Sequence, residues 1–108
     1  MGMVDRDVVR LRALAHPVRL GMMRQLAERP ETCACDFTEV FAVSQPTISQ
    51  HLKVLRHAGL VRTRRRGTQI CYSIDDDEMR ALCDVISVLG HSAAGSLLAT
   101  AAGSPAGH

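Results

Sequence analysis

Apolar residues recur at helical spacing in most of this chain and alternate in only one stretch. Val8, Leu11, Leu14 and Ala15 predict a first helix over residues 5–15. His16-Pro17 interrupts it, because a residue before proline is pushed out of the α region. Pro17 then suits the first turn of a second helix running to Glu28, with Val18, Leu20, Met22, Met23 and Leu26 facing inward. Arg29-Pro30 closes that helix. Phe37, Val40 and Phe41 predict a short third helix, with Asp36 as its cap and Glu39 at capping-box spacing. Ile48, Leu52, Leu55 and Gly59 share one face of a fourth helix, which Ser44 caps, Pro46 opens and Gly59 ends. Alternation begins at Val61. "LVRTRRRGTQICYSI" predicts a β-hairpin turning at Gly67, with Ile70, Tyr72 and Ile74 on one face of the return strand. Asp75, Asp76 and Asp77 suit the start of a last helix whose stripe is Met79, Leu82, Cys83, Ile86 and Leu89.

The expected fold is mainly α with a small β-hairpin, a winged helix-turn-helix in the order α-α-α-α-β-β-α. Residues 1–92 are expected to form one DNA-binding and dimerisation domain. Residues 93–108 are expected to be a helix extension or a flexible tail. At 108 residues, with 46% apolar and 22% charged positions, the chain has room for one modest core. It carries no apolar run of membrane-spanning length and no signal-peptide pattern, so a cytoplasmic protein with no membrane partner is expected. Four cysteines without an export signal argue against a disulfide framework.

Net charge is only +2, but its distribution is uneven. Residues 40–74 contain no acid and six bases: Lys53, Arg56, Arg62, Arg64, Arg65 and Arg66, accompanied by His51 and His57. The remainder has seven bases against eleven acids. Such a segment is an electrostatic footprint for a polyanion. Aromatic residues are few, which disfavours base stacking on single strands and leaves duplex DNA. The outer face of the fourth helix carries no acid. Thr47, Ser49 and Gln50 have the groups used to read base edges in a major groove. The N–H groups at Ser44 and Gln45 can meet a phosphate. His51, Lys53, Arg62, Arg64, Arg65 and Arg66 complete the expected DNA-contacting set, the wing arginines reaching phosphate or the minor groove.

"RALAHPVRLGMMRQLAE" and "CACDFTEVFAVSQPTISQHLKVLRHAGLVRTRRRGTQICYSID" resemble the ArsR/SmtB family of metal-sensing winged-helix repressors, over about residues 6 to 90. The resemblance implies a homodimer, built by the first and last helices, that binds operator DNA and leaves it when a metal or metalloid binds. It also implies a ligand role for Cys33 and Cys35, which match the family's Cys-x-Cys-Asp motif. The arsenic-sensing pattern often places a third cysteine where this chain has Thr38. A third thiolate must then come from Cys71, Cys83, the other subunit or a small thiol.

Thiolates select soft, thiophilic centres. Two visible cysteines suit As(III) or Sb(III); Cd(II), Pb(II) or Zn(II), which prefer three or four ligands, are the alternative. In a helix, residues two apart point about 200° apart, so one ion can be held by both only from a non-helical backbone. The Cys-Ala-Cys stretch is therefore expected in a linker, where ligation would pull on the DNA-reading helix. Cys71 is expected to be accessible and Cys83 to be a buried core thiol. Rival readings are a Cys33–Cys35 redox switch and a DNA-binding protein without an effector. No catalytic motif appears, and an enzyme is not expected.

Overall fold

The computed structural model describes residues 5–91. Their order is α1 (Arg6–Leu14), α2 (Pro17–Glu28), β1 (Thr32–Cys33), α3 (Ala34–Val40), α4 (Gln45–His57), β2 (Val61–Arg66), β3 (Gln69–Ile74) and α5 (Asp76–Gly90). This is a winged helix-turn-helix: α3 and α4 form the helix pair and β2–β3 form the wing. The expected extension over residues 93–102 lies outside the described residues.

Local chemistry sets the boundaries. The Asp5 carboxylate accepts from the amides of Asp7 and Val8 to start α1. The His16 ring accepts from Val18 through Nδ1 at 3.1 Å, so an imidazole caps α2 immediately before Pro17. Ser44 caps α4 through the Thr47 amide, and Asp75 caps α5 through the Glu78 amide. Gly59 lies just beyond α4 at φ +82°, a left-handed conformation that any side chain would strain. The two-residue wing turn places Gly67 first, at φ +62°.

The core gathers Met22, Leu26, Phe37, Ile48, Leu52, Leu55 and Leu60, all essentially sealed from solvent. They come from α2, α3, α4 and the turn into the wing, so the core is what fixes α4 in place. The close approach of α3 to α2 needs Gly21, where a Cβ would sit 2.8 Å from the Phe41 ring.

Three features differ from the sequence expectations. The hairpin gains a third strand, in the order β1-β3-β2, with Thr32 opposite Tyr72 and Cys33 opposite Cys71. A two-residue strand has too little alternation to be seen in sequence. The third helix begins at Ala34, three residues earlier than expected. Cys33 is its N-cap and Asp36 lies in its first turn, a position that also suits a carboxylate through the helix dipole. Finally, Arg10 is buried at 7% exposure, where it meets both Glu78 and Asp7. That cluster, which Arg6 also joins at 3.1 Å, ties α1 to the start of α5.

Leu52 is wholly enclosed between α4 and the rest of the core. Leu52→Ala is expected to lower unfolding free energy by about 2–5 kcal/mol, read from the urea midpoint with the m-value unchanged.

Candidate nucleic-acid interface and thiol site

The exposed side of α4 is built by exclusion. With Ile48, Leu52 and Leu55 buried, the helix turns Gln45, Ser49, Gln50 and Lys53 to solvent. Ser44 is exposed, but its hydroxyl is engaged with the Thr47 amide and with Thr47 Oγ1 at 3.0 Å. Thr47 is correspondingly half-buried, its hydroxyl occupied by the cap.

His51 is placed differently from the others. Its ring lies 4.4 Å from that of His16, and its Nδ1 is 3.3 Å from the Arg19 guanidinium. A guanidinium only donates, so Nδ1 is the acceptor and the ring proton sits on Nε2. Burial, then the neighbouring His16 and Arg19, hold its pKa below the ordinary imidazole value. His51 therefore adds no positive charge to this face at neutral pH. Arg19 binds the carbonyls of Ala13 and Arg12 as well, so the cluster joins the end of α1 to α4.

The wing is less free in space than in sequence. Arg64 makes two 2.8 Å bonds to the Glu31 carboxylate, and Arg66 approaches the same group at 3.4 Å. Bonding from Arg64 holds the Glu31 pKa below the usual carboxylate value and raises that of Arg64. Arg62 faces Asp75 at 3.5 Å. Among the described residues, Arg65 is the wing arginine with no carboxylate within ion-pair distance. Asp75 adjoins the acid-free segment and Glu31 precedes it by nine residues, and strand pairing brings both against it. Counting charge along the chain misses this.

The cysteines are rearranged as well. Cys33 and Cys35 are not brought together. Cys33 (8% exposed) is joined to Cys71 (0% exposed) in a cross-strand disulfide. The expectations of accessibility for Cys71 and of no disulfide both fail, because β1 pairs with the edge of β3 that a two-stranded wing would leave open and sets Cys33 opposite Cys71. Cys83 is exposed rather than buried, since nothing within the described chain covers that part of α5. Cys35 is exposed in the first turn of α3, its Sγ 3.8 Å from Asp36 Oδ1. It shares a shallow cavity of about 290 Å³ with Gln45 and Ser49 of α4 and with Gln69 and Tyr72 of the wing. Cys35 of the thiol motif thus shares its cavity with the solvent-facing start of α4. Thr38, at the position where the arsenic-sensing pattern often has a third cysteine, donates its hydroxyl to the Cys35 carbonyl at 2.6 Å. Among the described residues, no three His, Cys, Asp or Glu side chains are already gathered as a metal site.

Residues 16–63 match the family described as "Bacterial regulatory protein, arsR family". The chain is 41% identical over 73 residues to the "Arsenical resistance operon repressor" of Bacillus subtilis, covering 68% of this chain and 70% of that one. This chain belongs to the ArsR family. It is also 37% identical to the "HTH-type transcriptional repressor SmtB" of Mycobacterium tuberculosis, over 76% of this chain and 58% of that protein. A solved structure titled "Crystal structure of Possible transcriptional regulator for arsenical resistance" superposes with a TM-score of 0.71 at 26% identity, covering 94% of this chain and 100% of that one. As an ArsR-family member the chain is a transcriptional regulator of the helix-turn-helix class, not an enzyme. No helix among the described residues is long and apolar enough to cross a membrane.

A depressed folded-state pKa means that the unfolded chain binds the proton first. The stabilising contribution of neutral His51 is thus present above the unfolded pKa and lost as pH falls through the folded one. Thermal stability is expected to fall between about pH 7 and pH 5, with a shallower slope in His51→Gln, followed by melting curves across that range.

Proposed function

We propose that this protein is a metalloid-responsive repressor. As a homodimer it holds operator DNA through α4 and the wing, and it releases that DNA when thiolates bind As(III) or Sb(III). Cys33 and Cys35 are the ligands assigned from the family motif. The observation that carries the reading is the shared cavity, which sets Cys35 beside Gln45 and Ser49 at the start of α4. A change in α3 there cannot leave the entry of the reading helix undisturbed.

On this reading Ser49 and Gln50 face base edges, Thr47 joins them when its hydroxyl leaves Ser44, and the amides at Ser44 and Gln45 meet a phosphate at the positive end of α4. Lys53 and Arg65 supply phosphate contacts outright. Arg62, Arg64 and Arg66 contribute as they exchange Asp75 or Glu31 for phosphate. His51 acts as a neutral donor through Nε2. Two copies of α4 about 34 Å apart would read a palindrome. The functional domain is residues 1–92, working in the cytoplasm where its DNA is.

Dimerisation rests on the face that α1 and α5 leave uncovered. Leu11, Leu14, Met79, Leu82, Cys83 and Ile86 line an open apolar groove of about 500 Å³. Ile86 is 48% exposed and Leu89 73%. So much aliphatic surface on one side of a small protein marks an interface.

The sulfur chemistry favours trivalent metalloids, and Cd(II), Pb(II) or Zn(II) is the second reading within the same mechanism. The disulfide gives specific support to a third, thiol-oxidative response, but through Cys33 and Cys71 rather than Cys33 and Cys35.

Three measurements follow. With duplex DNA selected by the reduced protein from a random pool, arsenite is expected to raise Kd about 5- to 150-fold, matching a typical allosteric coupling. Cys33→Ser/Cys35→Ser should bind that DNA and ignore arsenite; release from the double variant would refute the ligand assignment. Arg65→Ala is expected to weaken binding to all sequences and to reduce the salt slope by about one unit per protomer, whereas Gln50→Ala should relax sequence preference. Ile86→Asp should shift sedimentation from dimer to monomer.

A further inference from the structure

We propose that Cys71 is a third thiolate ligand, so that the effector site spans the wing as well as the helix-turn-helix. The proposal rests on the functional reading above and adds to it the residue that completes the site.

The geometry begins with register. Cys33 and Cys71 are direct partners on adjacent antiparallel strands, and both sulfurs point to the same face of the sheet. Their bonded contact shows that these two sulfurs can reach each other without moving either strand. No such contact exists for Cys33 and Cys35. Cys33 stands at the N-cap in extended conformation (φ −84°, ψ 155°), while Cys35 is already helical.

Strand geometry resolves the third position. Residues two apart diverge on a helix but share a face on a strand. Continuing β1 by two residues would pair Cys35 with Gln69 in the existing register, and the two already line one cavity. Cys33, Cys35 and Cys71 would then lie on one face, with Cys35 and Cys71 as diagonal neighbours, a spacing that flexible side chains bridge. The conversion consumes the first turn of α3. That turn is weakly held, because Cys33 makes no side-chain cap hydrogen bond where Ser or Asp would supply one.

The chemistry balances. A thiol or phosphine reductant first returns the Cys33–Cys71 disulfide to two thiols. Arsenous acid, As(OH)₃, then exchanges three As–O bonds for three As–S bonds. The three thiol protons leave with the three hydroxides as water, and no electrons are transferred in the exchange. Thr38, whose hydroxyl binds the Cys35 carbonyl, cannot supply the third sulfur.

The test is X-ray absorption at the arsenic edge on the reduced full-length protein loaded with arsenite, alongside arsenite titrations of its DNA complex. Wild type is expected to show three sulfur neighbours. Cys71→Ser and Cys71→Ala are both expected to show two, with an oxygen replacing the third, and to need about tenfold more arsenite for DNA release, a loss of about 1.4 kcal/mol. Using both variants covers the chance that a buried hydroxyl unfolds the protein; circular dichroism confirms which is folded. Three sulfurs retained in a folded Cys71 variant, or two in wild type, would overturn the Cys71 assignment and leave the repressor reading intact if Cys33→Ser still abolishes the response. Wild-type protein that takes up no arsenite would overturn both.

Discussion

A seven-residue helix with no side-chain cap does not hold its own first turn; its surroundings must do so. That constraint governs α3. At its C-terminal side Phe37 is sealed in the core and Phe41 lies against Gly21 of α2. At its N-terminal side, Cys33 is fixed by two-residue pairing with β3. Between these anchors Ala34, Cys35 and Asp36 are helical without a cap of their own. The segment therefore depends on its neighbours for support, and it contains Cys35 of the motif. α4 follows only four residues after α3 and is held by the same core.

The same arrangement explains why sulfur ligation and DNA binding would oppose each other. If α4 reads DNA as proposed, Gln45, Ser49, Gln50 and Lys53 must be presented together, which needs α3 seated. Ligation by neighbouring thiols needs an extended backbone at the place where α3 starts. A switch in this position would require no long-range pathway, because the cavity holding Cys35 is walled by Gln45 and Ser49 of α4, two of the proposed DNA contacts. The wing joins in through β3, which carries Cys71 in the middle of the three-stranded sheet.

Much of this was legible in the sequence, for reasons particular residues make plain. Pro17, Ser44-Gln45-Pro46 and Asp75 mark helix starts because caps and proline act locally. Ile48, Leu52 and Leu55 identify the inner face of α4, and with it the outer one. What escaped was pairing between distant segments. Thr32–Cys33 is too short to show alternation, so the cover over Cys71 and the early start of α3 were both invisible. Glu31 and Asp75 sit outside the basic segment in sequence and against it in space. The exposure of Cys83 reflects a stripe that packs on nothing within the described chain, which a pattern of apolar residues cannot distinguish from a core.

On the proposed mechanism, effector binding unwinds the start of α3. Amide hydrogen exchange of the reduced protein, with and without arsenite, tests it at Thr38 and Glu39, whose amides the first turn ties back to Ala34 and Cys35. Arsenite is expected to strip protection from these two amides while those of Leu52 and Leu55 keep theirs. Unchanged or increased protection at Thr38 and Glu39 in the arsenite-loaded protein would contradict it.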